Sequence, residues 1–395
     1  MNQIKQIQKQ LKEENKDAWI IVDYEGKHPV IKTLFAGKML TRKLFLTIPK
    51  KGKPYLICHK IDTVFLSDSE TKKNFDLYVY QTWSEMISFE RKLFGSYEAV
   101  LMDVSESGLL PKVILADFGS VSFIKDMGIK ITSSQDLLQI FSARFDQSGH
   151  ESQKRACEES LRIKDLAFLK IKEDILNRGY SDEYEIQQFI CEEYHKAGMV
   201  YDDACIVAVN HNASDPHYGP TEKEHSLIRK GDVVLIDMWA KFQGEKDVYS
   251  DITWMGYVGE EVPEEIEDRF EVLRDAIDQA VLFLRTNLTK RKVMGFEVDD
   301  VTRTYIEEKG YGKYFIHRTG HNIADGESPH GPGVNIDNYE SHDTRTIIPY
   351  ISFSLEPGIY APDFGMRSET DIFITEKYEV EEIGGRQRKV IPILK

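Results

Sequence analysis

The sequence predicts an α+β protein of two domains. Three observations carry this. The chain has 395 residues, more than a single core usually spans. Short apolar runs alternate with helical stretches over the first 150 residues. After the polar segment FDQSGHESQKR, which contains Gly149, the pattern changes to long helices followed by strand hairpins. The boundary is placed there, giving domains 1–150 and 151–395.

In the first domain, Ile4, Ile7 and Leu11 have the spacing of one helix face. AWIIV, LFLTI, PYLIC, LYVYQ and AVLMD are short, apolar or alternating, and predict strands. No chemically suggestive residues cluster here, so a scaffold or oligomerisation role is expected. In the second domain a helix is predicted over 151–178, stopped by Gly179. Ser181 is a plausible N-cap of the next helix, which buries Ile186, Phe189, Ile190 and Tyr194 and stops at Gly198. IVAVNHNASDPHYGP reads as strand and loop. A second helix pair follows. Pro263 is expected at a first helical position, Ile266, Phe270, Leu273, Ile277, Val281 and Leu284 repeat at helical spacing, and a helix over 295–309 ends at Gly310. Further strands are expected to carry His321, Glu356 and Glu369. Helix, helix and hairpin thus recur in order, which suggests a pseudo-symmetric unit with ligands from both halves meeting at a central sheet.

Hydrophobic residues at 41% and charged residues at 30% describe an ordinary globular chain. A net charge of −15 argues against nucleic acid and anionic membranes as partners. No stretch has the length and apolarity of a membrane span, and the N-terminus lacks the apolar core of a signal peptide. Cys58, Cys157, Cys191 and Cys205 show no metal or redox spacing, as expected of reduced thiols in a cytoplasmic protein.

The chemistry concentrates in Asp237, Asp251, His321, Glu356 and Glu369. Asp237 closes the run VVLID and Asp251 lies in YSDIT, across a hairpin with a loop around 242–247. A regular ladder is expected to set them directly opposite, where like charges destabilise unless a cation lies between. His317, His321 and His330 lie close together among glycines in HRTGHNIADGESPHG; spacing alone does not say which binds metal. Glu356 precedes a Pro-Gly turn, and Glu369 follows Arg367 by two residues. Four carboxylates and one imidazole are too many charged groups to bury together without cations. The donor set suits hard to borderline divalent ions, so a two-metal hydrolase site is expected.

Residues 155–395 resemble the pita-bread metallopeptidases, which include methionine aminopeptidases, Xaa-Pro aminopeptidases, Xaa-Pro dipeptidases and the metal-free creatinases. The resemblance rests on Asp237, Asp251 in SDIT, His321 in GH, Glu356 in EPG and Glu369 after Arg367. It implies a pita-bread catalytic domain, and the N-terminal region resembles the smaller α/β creatinase-type domain of the proline-specific branch. It implies all five residues as metal ligands. Asp237 would hold one ion, His321 and Glu356 the other, and Asp251 and Glu369 both. The implied metal is manganese, with cobalt, zinc or iron as alternatives. It further implies substrate-side roles for His217, His317, His330 and Arg367, with Tyr360 near the same pocket. Glu356 would shuttle a proton, and His330 and His317 would stabilise the oxyanion. The implied reaction is attack by a metal-bridging hydroxide on a peptide with proline at the second position. Xaa-Pro aminopeptidase is the first reading and Xaa-Pro dipeptidase the alternative, the latter needing an extra cation that the sequence does not place. A non-catalytic binding protein on the same fold is a third reading. A homodimer is also implied. Four departures bear on specificity: the Asp–Asp spacing is stretched, the spacing from His321 to His330 is stretched, the family's GHGIG reads GHNIA, and Trp254 stands where Arg is frequent.

Overall fold

The computed structural model describes residues 2–395. The chain divides into two compact units, residues 1–142 and 143–395. Among the described residues, no helix is long and apolar enough to cross a membrane.

The first unit is built on a six-stranded mixed sheet. Its spatial order is Asp76–Tyr80, Tyr55–His59, Leu44–Pro49, Ala18–Asp23, Ala99–Met102, Lys130–Ser133. All five expected strands are present. Ala18–Asp23 lies centrally and is buried on both faces, which explains its unbroken apolar run. The sixth strand, KITS, is short and partly exposed, so it carries no hydrophobic pattern. Helix Asn2–Glu13 buries Ile4, Ile7 and Leu11 as their spacing predicts.

The second unit opens with helix Gln147–Arg178. It starts four residues before the expected 151, because Asp146 caps it through the amide of Gly149. The polar segment read as a boundary is therefore largely helix. Gly179 ends it at φ 81°. Helix Glu183–Lys196 is capped by Asp182, not Ser181. A carboxylate there accepts two amides, from Tyr184 and Glu185, while the Ser181 hydroxyl turns to Asp174. The second pair, Glu264–Asn287 and Gly295–Glu308, follows the expected periodicity, with Pro263 as the cap residue just outside the helix.

The two helix pairs cover two groups of strands. Val233–Phe242 pairs antiparallel with Ser250–Tyr257 and with Ile206–Val209. Ser352–Leu355 pairs with Thr370–Ile374, and Gly358–Tyr360 with Gly365–Arg367. The groups meet where the Glu369 amide reaches the Thr253 carbonyl at 3.3 Å. The Asp251 amide also reaches the Asp371 carboxylate at 3.0 Å.

Two expectations are corrected. Asp237 pairs with Thr253, and Asp251 with Trp239. The ladder ends at Ala240–Ser250, while Lys241 and Phe242 leave to pair with Val200 and Met199. That lengthens the connecting loop and shifts the register. The two aspartates still share one face but stand diagonally, which relieves their repulsion. Nor do His321, Glu356 and Glu369 lie within strands. Each sits at a strand end or between isolated bridges, where the backbone is free to aim the side chain inward.

Gly320, just before His321, packs so closely that a Cβ there would stand 1.9 Å from the Ser354 carbonyl oxygen. Gly320→Ala is expected to lower unfolding free energy by about 1–3 kcal/mol in a denaturant titration.

Candidate metal centre

Asp237, Asp251, His321, Glu356 and Glu369 all line one cavity of about 350 Å³. Ligand atoms of Asp251, His321 and Glu369 lie within 4.8 Å of one another. His321 Nε2 is 3.4 Å from Asp251 and 3.7 Å from Glu356. Its Nδ1 faces the Asn322 carbonyl at 3.1 Å, which fixes the proton there and leaves Nε2 as a ligand atom.

Each donor is aimed by its neighbours. The Thr253 hydroxyl donates to Glu369 at 2.8 Å. Arg367 donates to Thr253 at 3.1 Å and to Tyr360 at 2.8 Å, and forms an ion pair with Asp237. The segment before His321 is held by buried Asp299, which accepts the Thr319 and Asn338 amides. The 210–226 loop is held by fully buried Glu183. That carboxylate accepts from the Val209 and Ser226 amides, the Asn212 amide side chain and the Tyr218 hydroxyl.

The charge balance favours cations. Asp237, Asp251, Glu356 and Glu369 cluster at the cavity, and among the described residues Arg367 is the one arginine or lysine that pairs with them. Burial, then Glu369 and Asp237, push Asp251 well above the ordinary carboxylate range. Burial, then Glu356 and Asp237, do the same to Glu369. Burial raises Glu356 to about 7. Among the described residues, Asp237 Oδ1 is buried without a hydrogen-bond partner. A buried carboxylate oxygen with no donor, among groups forced toward protonation by one another, fits a site completed by cations.

The other predicted residues take distinct places. His330 is exposed at the cavity wall, its ring 4.2 Å from that of His321. His217 is exposed at the mouth, on the loop held by Glu183. His317 has both ring nitrogens engaged. Nδ1 donates to the Arg318 carbonyl at 2.6 Å, and Nε2 accepts from Tyr360 at 2.7 Å. Burial, helped by nearby Arg367, lowers His317 to about 3 and keeps it neutral. His317 lines the cavity, but with both nitrogens committed it has no N–H left to offer an oxyanion. Sequence reasoning missed Arg318 and Glu340, which also line the cavity, with Nη1 3.4 Å from the carboxylate. Arg318 lies inside HRTGH, but only the fold shows that it faces the cavity.

A profile of metallopeptidase family M24 matches residues 154–376, more than half the chain. The chain belongs to metallopeptidase family M24. That family is one of metallopeptidases, and Asp251, His321 and Glu369 offer the ligand atoms a metal ion would need. An uncharacterized peptidase of Bacillus subtilis, YqhT, is 35% identical over 172 residues, 43% of this chain and 44% of that protein. The matched segment thus spans under half of either protein. An Xaa-Pro dipeptidase of Lactobacillus helveticus is 24% identical over 98% of both chains. Among solved structures, dipeptidase PepE from Mycobacterium ulcerans aligns with TM-score 0.65 and 18% identity, covering 99% of this chain and 96% of that one. The X-Pro aminopeptidase from Thermotoga maritima aligns with TM-score 0.54 and 23% identity, covering 95% and 97%. These similarities establish the fold, a pita-bread α+β unit preceded by a smaller α/β unit.

Asp251, Glu356 and Glu369 bind protons more tightly folded than unfolded. The contribution of these three groups to the stability of metal-free protein should therefore be greatest below about 4.5 and fall as pH rises toward about 7. For Glu356 alone the loss is at most about 3 kcal/mol. Thermal melting of chelated protein across this window should show that slope, and saturating divalent metal should reverse it. Asp251→Ala should abolish metal uptake and activity while the N-terminal unit stays folded, read by metal analysis and circular dichroism.

Proposed function

We propose that the protein is a two-metal peptidase acting on Xaa-Pro peptides. The observation that carries this is the convergence of four carboxylates and one imidazole on one cavity, with a buried Asp237 oxygen left without a donor. Asp237 would hold one ion, His321 and Glu356 the other, and Asp251 and Glu369 both. Manganese is the metal the family resemblance implies, and the donor set equally admits cobalt, zinc or iron. When bound, the ions polarise the scissile carbonyl and make a water acidic enough to attack at neutral pH.

The chain's own groups supply the rest. Glu356 is poised to take a proton from the attacking water and return it to the leaving nitrogen. Arg367 keeps Asp237 turned toward the cavity. Tyr360, held between Arg367 and His317, presents a hydroxyl at a fixed place. His330 offers a ring beside His321 for the developing oxyanion, and His217 approaches the substrate from the mouth.

Xaa-Pro aminopeptidase is the first reading. Glu340, outside the donor cluster, suits the ammonium of a peptide N-terminus. The dipeptidase reading is favoured by Arg318, whose guanidinium could meet a free C-terminal carboxylate. The N-terminal unit is read as a creatinase-type domain, and a cytoplasmic homodimer follows from the same family reading.

Alanyl-proline and an alanyl-prolyl tripeptide, each with manganese and with chelator, separate the readings. Release of the first residue from the tripeptide, lost with chelator, means aminopeptidase. Cleavage of the dipeptide only, with its KM raised in Arg318→Ala, means dipeptidase. No cleavage of either by metal-loaded protein overturns the proposal.

A further inference from the structure

Both stretched segments of this sequence meet in the fold. The hairpin loop between the two aspartates ends at Val248 and Tyr249, both buried. The segment from His321 to His330 folds back on itself. The Gly331 amide reaches the Asn322 carbonyl at 2.7 Å, and the Ala324 amide reaches the Pro329 carbonyl at 3.0 Å. Residues 325–328 form its tip, and His330 stands at its base over His321.

The aspartate hairpin grips this second hairpin. The Tyr249 amide donates to the Ala324 carbonyl at 3.1 Å, and its hydroxyl to the Glu327 carbonyl at 3.0 Å. Lys241 donates to the Asp325 carbonyl and lies 5.4 Å from the centre of the Tyr249 ring. Lys241 is only 9% exposed, yet among the described residues no carboxylate lies within ion-pair distance of it. Burying an ammonium against a backbone carbonyl is costly unless that carbonyl must be held. The grip is itself anchored, since the Val248 amide donates to Ser152 of the long helix at 3.0 Å.

Strand alternation explains why these residues are available. Asp237, Trp239 and Lys241 share one face of their strand, and Tyr249, Asp251 and Thr253 share the facing positions. The face that carries the aspartates therefore continues outward into Lys241 and Tyr249. The extra loop residues carry that face past the site, where the lengthened second hairpin lies against it.

We infer that Tyr249 and Lys241 are positioning residues for His330. They clamp the tip of the 322–331 hairpin by its carbonyls and thereby hold the His330 ring at the cavity wall. The two lengthened loops act as one device, and neither would place His330 alone. The inference deepens the peptidase reading by extending it to residues that touch neither substrate nor metal.

The test uses the full-length, metal-loaded protein and the variants Tyr249→Phe and Lys241→Met. Hydrogen exchange reads the clamp without reference to activity. Loss of one hydrogen bond should speed exchange of the Ala324 and Gly331 amides about threefold to tenfold, with metal affinity unchanged. On whichever proline peptide the wild type cleaves, kcat should fall by a similar factor, with KM nearly constant. In a His330→Gln background, Tyr249→Phe should cause no further loss of kcat, because the route through His330 is already gone. Unchanged exchange over 322–331 would overturn the clamp, and fully additive losses would overturn its link to His330. A wild type that cleaves no proline peptide would overturn the peptidase reading, while the exchange result would still decide the clamp.

Discussion

Mutual repulsion among buried carboxylates is the constraint on which the catalytic unit depends. Asp237, Asp251, Glu356 and Glu369 face one cavity, and among the described residues Arg367 is the one arginine or lysine paired with them. Such a cluster is tolerable only if its members take up protons or gather cations. Each neighbouring detail serves that end. Arg367 holds one oxygen of Asp237 and leaves the other free. Thr253 fixes Glu369, and His321 is locked by the Asn322 carbonyl into the tautomer that points Nε2 inward. The site is arranged for an ion before any ion arrives.

The surrounding scaffold uses buried carboxylates in a second way. Glu183 and Asp299 accept backbone amides and so hold irregular segments that regular ladders cannot reach, while Asp371 braces a strand. Glu183 fixes the loop bearing His217, Asp299 the approach to His321, and Asp371 the backbone of Asp251. A carboxylate that accepts several amides replaces the hydrogen bonds those segments would otherwise lack. The rigidity needed for catalysis thus comes from loops pinned by acids as much as from the sheets. The lengthened loops around Tyr249 and Asp325 follow the same logic, with a lysine and a tyrosine holding carbonyls in place of acids holding amides.

The five donor residues and their convergence were legible because their environments are unusual in sequence. An Asp ending VVLID, a second in SDIT and a Glu in EPG stand beside apolar runs, where charge is rare unless used. The helices were legible from periodicity, as in the row from Ile266 to Leu284. The register of the Asp hairpin was not legible. It depends on Lys241 and Phe242 leaving the ladder for Val200 and Met199, a contact between segments about forty residues apart in sequence. The strand KITS escaped notice because a short, partly exposed edge strand needs no apolar pattern.

The sequence by itself pointed to the chemistry: the acids that gather and a donor set suited to divalent cations, with His321 singled out among three histidines only by the family resemblance. This is so because residue type and local apolar context decide whether a charge is buried. Only the tertiary structure decided what surrounds the cluster. It engaged both nitrogens of His317, brought Arg318 and Glu340 to the cavity wall, and set Tyr249 against the hairpin of His330. Those relations join residues with no shared periodicity or motif. They exist only once two hairpins and their loops pack together, and packing between distant segments leaves no local signature in the chain.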